Sequence, residues 1–269
     1  IPSSQVEKLI GSEATRENIL AALSALKQIP KEQAGEVLVY LDLWVRMLPT
    51  ARGLRPYLIP YDADADNLIG SSIEAIEVSK LLQECPAKAL VVVMHTSFVG
   101  PMFENDPLVA KPGRLVLGAA KERGFVSPEL GGESSFLFYA GEAMDWAVLD
   151  TGKRALSLWD VFDRTRQRVR IITRDNQQPV EFGDRNAGKS FLLSTSVQNE
   201  RILDKLVDLT LEGRISRQLF VRSARSLLPG FSEPGDERIL AALKKLFNKS
   251  ITPEQFTKEL LSQEGNGRK

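Results

Sequence analysis

Residues 89–100 read Ala89-Leu90-Val91-Val92-Val93-Met94-His95-Thr96-Ser97-Phe98-Val99-Gly100, and this stretch decides the fold class. Its first half is an unbroken apolar run rich in valine. A strand with no polar alternation has to be covered on both faces, as in the middle of a parallel sheet packed between helices. Working outward, Val37 to Leu41 after Gly35, Tyr57-Leu58-Ile59 closed by Pro60, and Arg114 to Ala119 read as further strands. Between them the spacing predicts helices. One covers Thr15 to Lys27, with Ile19, Leu20, Leu23 and Leu26 on one face and Thr15 as N-cap. Another runs from Ser71 or Ser72 to about Glu84, stopped by Pro86. The alternation predicts an α/β chain with a mostly parallel sheet flanked by helices. Reactive groups in such sheets gather beyond the carboxyl ends of the strands, which directs attention to Leu41–Met47 and His95–Gly100.

Beyond Leu193 the periodicity is helical only. Residues 199–211, 216–228, 236–247 and 252–261 each carry an apolar stripe, and Thr252-Pro253-Glu254-Gln255 combines a capping box with proline in the first turn. A shift of about 36 residues superimposes Leu203, Val207, Leu211, Ile215-Ser216 and Phe220 on Ile239, Leu243, Phe247, Ile251-Thr252 and Phe256, which marks an internal repeat. The expected organisation is an α/β domain over 1–196 and a small all-α region over 197–269. The latter comprises two related hairpins, 197–228 and 236–264, joined through Pro229-Gly230 to Pro234-Gly235.

Composition narrows the chemistry. The 269 residues balance 35 Lys+Arg against 35 Asp+Glu and include one histidine and one cysteine. That excludes multi-histidine metal centres, zinc fingers and disulfide frameworks, so no metal and no cofactor is expected. Net neutrality argues against nucleic-acid binding, which needs uncompensated Lys and Arg. No apolar run approaches the roughly 20 residues of a membrane span, and the N-terminus does not resemble a signal peptide, so a cytoplasmic protein without a membrane partner is expected.

Four motifs compete for a functional role. Gly183-Asp184-Arg185-Asn186-Ala187-Gly188-Lys189-Ser190 satisfies the P-loop pattern, which offers nucleotide binding as one alternative. Its flanks oppose that reading, since Phe191-Leu192-Leu193 reads as a strand where a helix is needed; a polar hairpin turn is expected instead. Asp62, Asp64 and Asp66 alternate like the start of a calcium loop, but position six holds Asn67 and position twelve Ile73. Cys85 precedes Pro86 at a helix end and reads as a packing residue. His95 and Ser97 stand at the carboxyl edge of the central strand, where a hydroxyl and an imidazole suit nucleophilic chemistry. Two residues apart on a strand they are about 6–7 Å from each other, so Ser97 acting with His95 requires the chain to turn.

The order of these segments resembles the caspase-like cysteine peptidases, a group that includes metacaspases and bacterial relatives. The likeness covers roughly residues 1–195. ATRENILAALSAL is similar to the helix before the histidine strand, GEVLVYLDLWV to that strand, and PYLIPYDADADNL to the turn that follows. AKALVVVMHTSFVG is similar to the nucleophile strand, RLVLGAAKERGFVSPELGGESSFLFYAGEAM to the next strand and the start of a helix, and QPVEFGDRNAGKSFLLS to the closing hairpin. The family's first strand and helix have no counterpart before Ile1, so the resemblance implies an N-terminally incomplete caspase-like sheet. The C-terminal turns LEGRISRQLF and FNKSITPEQF resemble the short C-terminal helical (SHOCT) module.

In active members a cysteine thiolate attacks the peptide carbonyl, a histidine protonates the leaving amine, and backbone N–H groups hold the oxyanion. Carried onto this chain, the nucleophile position falls on Ser97 and the acid that helps to select basic substrates falls on His95. The Ser-Gly-His-Gly segment falls on Asp42-Leu43-Trp44-Val45. Trp44 therefore takes the histidine position and Val45 a glycine of the oxyanion loop. Tryptophan moves no proton at that position, and serine without a base stays protonated. The resemblance thus implies a peptidase fold without cysteine-type endopeptidase activity: a scaffold or regulatory partner, binding another protein, a second copy, or an active caspase-like relative. The alternatives are an active endopeptidase or hydrolase using Ser97 with His95, and nucleotide binding through Gly183–Ser190.

Overall fold

In the computed structural model, strands β1 (Glu36–Leu41), β5 (Ala89–Met94), β6 (Arg114–Gly118) and β8 (Val180–Gly183) form one sheet in the order β1-β5-β6-β8. The first three run parallel and β8 is antiparallel to β6, so the sheet is mixed and mostly parallel. The structure describes residues 6–32, 34–122, 134–151, 156–193, 196–213, 216, 220–221, 224 and 233–262. The chain divides into two units, Ile1–Ala140 with Phe162–Phe191 and Gly141–Val161 with Leu192–Lys269.

The apolar run of β5 is accounted for in the first unit. Leu90, Val92 and Met94 enter a core shared with Ile19 and Leu23 of helix α1 (Arg16–Ala25) and with Val78 and Leu82 of helix α3 (Ala75–Gln83). Val91 on the opposite face is equally buried. Helix α1 begins as its sequence predicts, with Thr15 Oγ1 accepting a hydrogen bond from the N–H of Asn18 at 3.2 Å. The second expected helix starts later than Ser72, because Ile73–Glu74 forms a short strand, β4, after the single turn α2 (Leu68–Ser71).

Leu41–Met47 does not stay open as a strand-end loop. Trp44–Thr50 is a strand, β2, paired antiparallel with β3 (Gly53–Ile59), which in turn pairs with β4. The cause is local. Thr50 Oγ1 donates to the Gly53 carbonyl and accepts from the N–H of Arg52, while Gly53 takes a φ of +91°, so 50–53 makes a tight turn. Pro49 is tolerated because β2 lies at the edge of this sheet. Val45, Leu58 and Ile73 then point into the common core.

The hairpin expected around residue 186 is likewise replaced. Strand β8 ends at Gly183, helix α7 (Arg185–Ser190) follows, and Leu192–Leu193 forms a strand, β9, that pairs with β7 (Leu156–Ser157) and not with β8. Asp184 causes the break. Its carboxylate caps the N–H of Asn186 and also accepts from the N–H of Gly113, so the chain turns into a helix where β6 begins. Three more helices complete this part of the chain: α4 (Val99–Phe103), α5 (Ser135–Thr151) and α6 (Leu158–Ile172).

In the second unit, helix α8 (Ser196–Leu211) and the helices Glu233–Phe247 and Pro253–Ser262 enclose a separate core. Leu203, Val207 and Phe220 are buried with Ile239, Leu243 and Phe256, and the rings of Phe220 and Phe256 lie 5.7 Å apart. The capping box is reciprocal: Gln255 N–H donates to Thr252 Oγ1 at 3.2 Å, and Thr252 N–H to Gln255 Oε1 at 2.9 Å. Helix Glu233–Phe247 starts before residue 236 and takes Pro234-Gly235 into its first turn. Most of the expected helix 216–228, and the linker as far as residue 232, lie outside the described residues, as does 123–133.

Candidate functional site

Parallel pairing decides which residues meet at the carboxyl end of the sheet. Leu41 lies opposite Met94, and the N–H of His95 donates to the Leu41 carbonyl at 2.8 Å, so Asp42 and His95 leave neighbouring strands side by side. His95 is 8% exposed. Its Nε2 lies 2.5 Å from Ser134 Oγ, and its Nδ1 lies 3.0 Å from Asp42 Oδ2. The second contact is off the axis of the ring N–H, which leaves Nδ1 close to the carboxylate without a well-directed hydrogen bond. Phe136 lies nearly parallel to the imidazole, with ring centres 6.1 Å apart and planes 18° apart.

Each partner is fixed by its own element. Ser134 precedes helix α5, and its Oγ accepts from the N–H of Leu137 at 3.2 Å, so the hydroxyl is held at a helix start. With that lone pair engaged, its proton is free to point at His95 Nε2. Asp42 remains half-exposed and also accepts from the Tyr40 hydroxyl at 3.3 Å. Partial burial of the phenol, and then the Asp42 charge, hold the Tyr40 hydroxyl well above its ordinary pKa, so it stays protonated and can only donate to the carboxylate.

The other residues singled out by sequence are arranged differently. Ser97 follows His95 in a turn that reaches Phe98 at a φ of +63°, a costly conformation for a bulky residue. The turn is tied down: the N–H groups of Phe98, Val99 and Gly100 donate to the carbonyls of Glu122, Ala120 and Lys121. A Cβ on Gly100 would stand 2.9 Å from the Lys121 carbonyl oxygen, which explains the glycine. Those three N–H groups are thereby committed and cannot serve an oxyanion beside Ser97. Trp44 opens β2 with its side chain 78% exposed, and Val45 is buried opposite Leu58 in the core. His95 is thus brought to Asp42 and Ser134, while Val45 serves packing.

In the remaining motifs the acidic side chains accept hydrogen bonds from nearby backbone N–H groups. Gly183–Ser190 presents Asp184 at the start of α7, so a carboxylate occupies the position where a P-loop would receive phosphate. Asp62 accepts from the backbone N–H of Arg16, and Asp64 from that of Asp66. Among the described residues no cluster of three or more His, Cys, Asp or Glu side chains could hold a metal ion. Cys85 is buried. No helix among the described residues is long and apolar enough to cross a membrane.

Sequence reasoning passed over Ser134 and Phe136 as site residues. Ser134-Ser135 before an apolar run is a readable helix start, but its pairing with His95 spans 39 positions and depends on the tertiary fold. No protein-family model matches the chain, and no curated protein matches it.

Proposed function

We propose that the chain carries a caspase-like peptidase fold without cysteine-type endopeptidase chemistry and acts as a scaffold or regulatory partner of another protein. The observation that carries this reading is what stands at the ends of β1 and β5. Trp44 and Ser97 occupy the positions where the resemblance calls for histidine and cysteine, and the single thiol, Cys85, is buried at the end of α3. The parallel arrangement of β1, β5 and β6, with a small antiparallel sheet inserted between β1 and β5, supports the likeness in segment order. The paired helices of the second unit, which the resemblance compares with a SHOCT-type module, would supply the tether or the self-association surface.

The test has two arms. The full chain, incubated with a thiol-directed peptidyl electrophile and with a peptide library, is expected to give neither labelling nor cleavage. Mixed with an active caspase-like peptidase, it is expected to bind and to change that enzyme's kcat/KM. Cleavage of peptides that is lost in Ser97→Ala would overturn the reading, and so would the absence of both self-association and any effect on a caspase-like relative.

A further inference from the structure

The resemblance gives no role to Ser134, and neither scaffolding nor cysteine chemistry explains why a buried imidazole is held between a carboxylate and a hydroxyl. We infer that Asp42, His95 and Ser134 form a serine acyl-transfer relay that acts on short-chain carboxylic esters. The inference goes beyond the scaffold reading, since a partner-binding protein can carry a hydrolytic site that uses no thiol.

The geometry sets the roles. The Asp42 charge, with Oδ2 3.0 Å from Nδ1 though off the ring N–H axis, favours the proton on Nδ1, which leaves Nε2 as the acceptor facing Ser134 Oγ at 2.5 Å. The Leu137 N–H bond to the same oxygen directs the hydroxyl proton toward Nε2. The Phe136 ring lies nearly parallel to the imidazole, with ring centres 6.1 Å apart. The N–H groups of Ser135 and Phe136 open helix α5 without intrahelical acceptors, and the relay would draw its oxyanion donors from them. With Ser134 and His95 each 8% exposed, the relay is assigned to small esters and not to a polypeptide chain.

The steps balance without any co-reactant besides water. Ser134 Oγ attacks the ester carbonyl carbon as its proton passes to His95 Nε2. The resulting tetrahedral intermediate collapses with cleavage of the carbon–oxygen bond to the alcohol, which takes that proton. His95 then removes a proton from water, the hydroxide attacks the acyl carbon, the bond to Oγ breaks, and the proton returns to Ser134. Ser134 and His95 are the catalytic residues; Asp42, which touches only the imidazole and the Tyr40 hydroxyl, is a positioning residue.

The full chain is treated with a fluorophosphonate and mapped by peptide mass spectrometry, and its turnover of p-nitrophenyl acetate is measured in parallel. The label is expected on Ser134. Ser134→Ala is expected to remove both label and turnover, and Lys189→Ala to leave both unchanged. Because Ser134→Ala also removes a helix cap, the half-exposed Asp42 provides the second variant: Asp42→Asn is expected to melt like the wild type and lose about 10²- to 10⁴-fold in kcat with KM unchanged. Labelling on Ser97, no labelling at all, turnover that survives Ser134→Ala, or an unchanged kcat in Asp42→Asn would each overturn the relay, and none of them bears on binding to a caspase-like partner.

Discussion

The two ends of the central sheet both bury polar side chains, but with different kinds of partner. At the amino-terminal edge Arg114, 9% exposed, donates from its two terminal nitrogens to the carbonyls of Ala87 and Cys85 at 2.9 Å each. The Arg114 carbonyl accepts from the N–H of Asp184 at 2.7 Å, and Asp184 Oδ2 accepts from the N–H of Gly113 at 2.9 Å. At the carboxyl-terminal edge His95 meets two side chains; each edge leaves one nitrogen, Arg114 Nε or His95 Nδ1, without a well-directed partner. Side chains that satisfy backbone groups hold an architecture in place. The His95 ring meets side chains alone, one of which, Ser134, also caps the Leu137 N–H.

That contrast is broken or sharpened first at Arg114. Replacement by methionine keeps much of the volume but strips the donors from two buried carbonyls, each of which costs about 1–3 kcal/mol when left unpaired. A loss of about 3 kcal/mol in urea unfolding is expected, and a loss under about 1 kcal/mol would show that the amino edge is not the structural one. At the other edge Ser134→Ala removes a cap and one side-chain bond, so about 1–2 kcal/mol is expected in the same measurement. If Ser134→Ala costs more than Arg114→Met, the assignment of the two edges is reversed.

How far sequence reasoning reached follows the same division. The apolar runs of β1, β5 and β6, the Thr15 cap and the Thr252 box were readable because each is local and short. Strand β2 was not, because Trp44 and Arg46 point outward and Pro49 suggests a break; its strand character comes from pairing with β3. His95 stood out at a strand end, yet the hydroxyl two positions on, Ser97, is not the one that meets Nε2. The pleat and the turn at Phe98 carry the chain onward, and helix α5 supplies Ser134 from a distant segment. Asp42 could have been found from register alone, since parallel strands of equal length end together.

Acid sharpens the comparison at the amino edge. The Gly113 N–H, and after it that of Asn186, hold the Asp184 carboxyl below the ordinary carboxylate range. A depressed folded pKa adds stability at neutral pH, and that stability is lost as pH falls through the folded value. Wild-type Tm should therefore drop more steeply than that of Asp184→Asn below about pH 4, and the two curves should converge there. Parallel curves down to the acid limit would mean that the carboxylate contributes nothing as a charge.

The smallest expected effect is at Lys189, and it separates a sequence pattern from a site. A P-loop needs unoccupied N–H groups at a helix start and a lysine near the phosphates. Here the Asp184 carboxylate already accepts the Asn186 N–H at 2.9 Å, Gly188 is buried, and Gly183 has a φ of +102° and no room for a Cβ, which would stand 2.2 Å from the Arg114 carbonyl oxygen. Gly183 thus has a packing reason of its own, and phosphate at this helix would be repelled by the carboxylate that caps it. Magnesium ATP or GTP is expected to leave Tm unchanged, and Lys189→Ala, at an exposed position, to alter stability by no more than about 0.5 kcal/mol. A nucleotide-dependent rise in Tm that Lys189→Ala removes would require the Asp184 cap to open, and would turn the amino edge from scaffold into a second binding site.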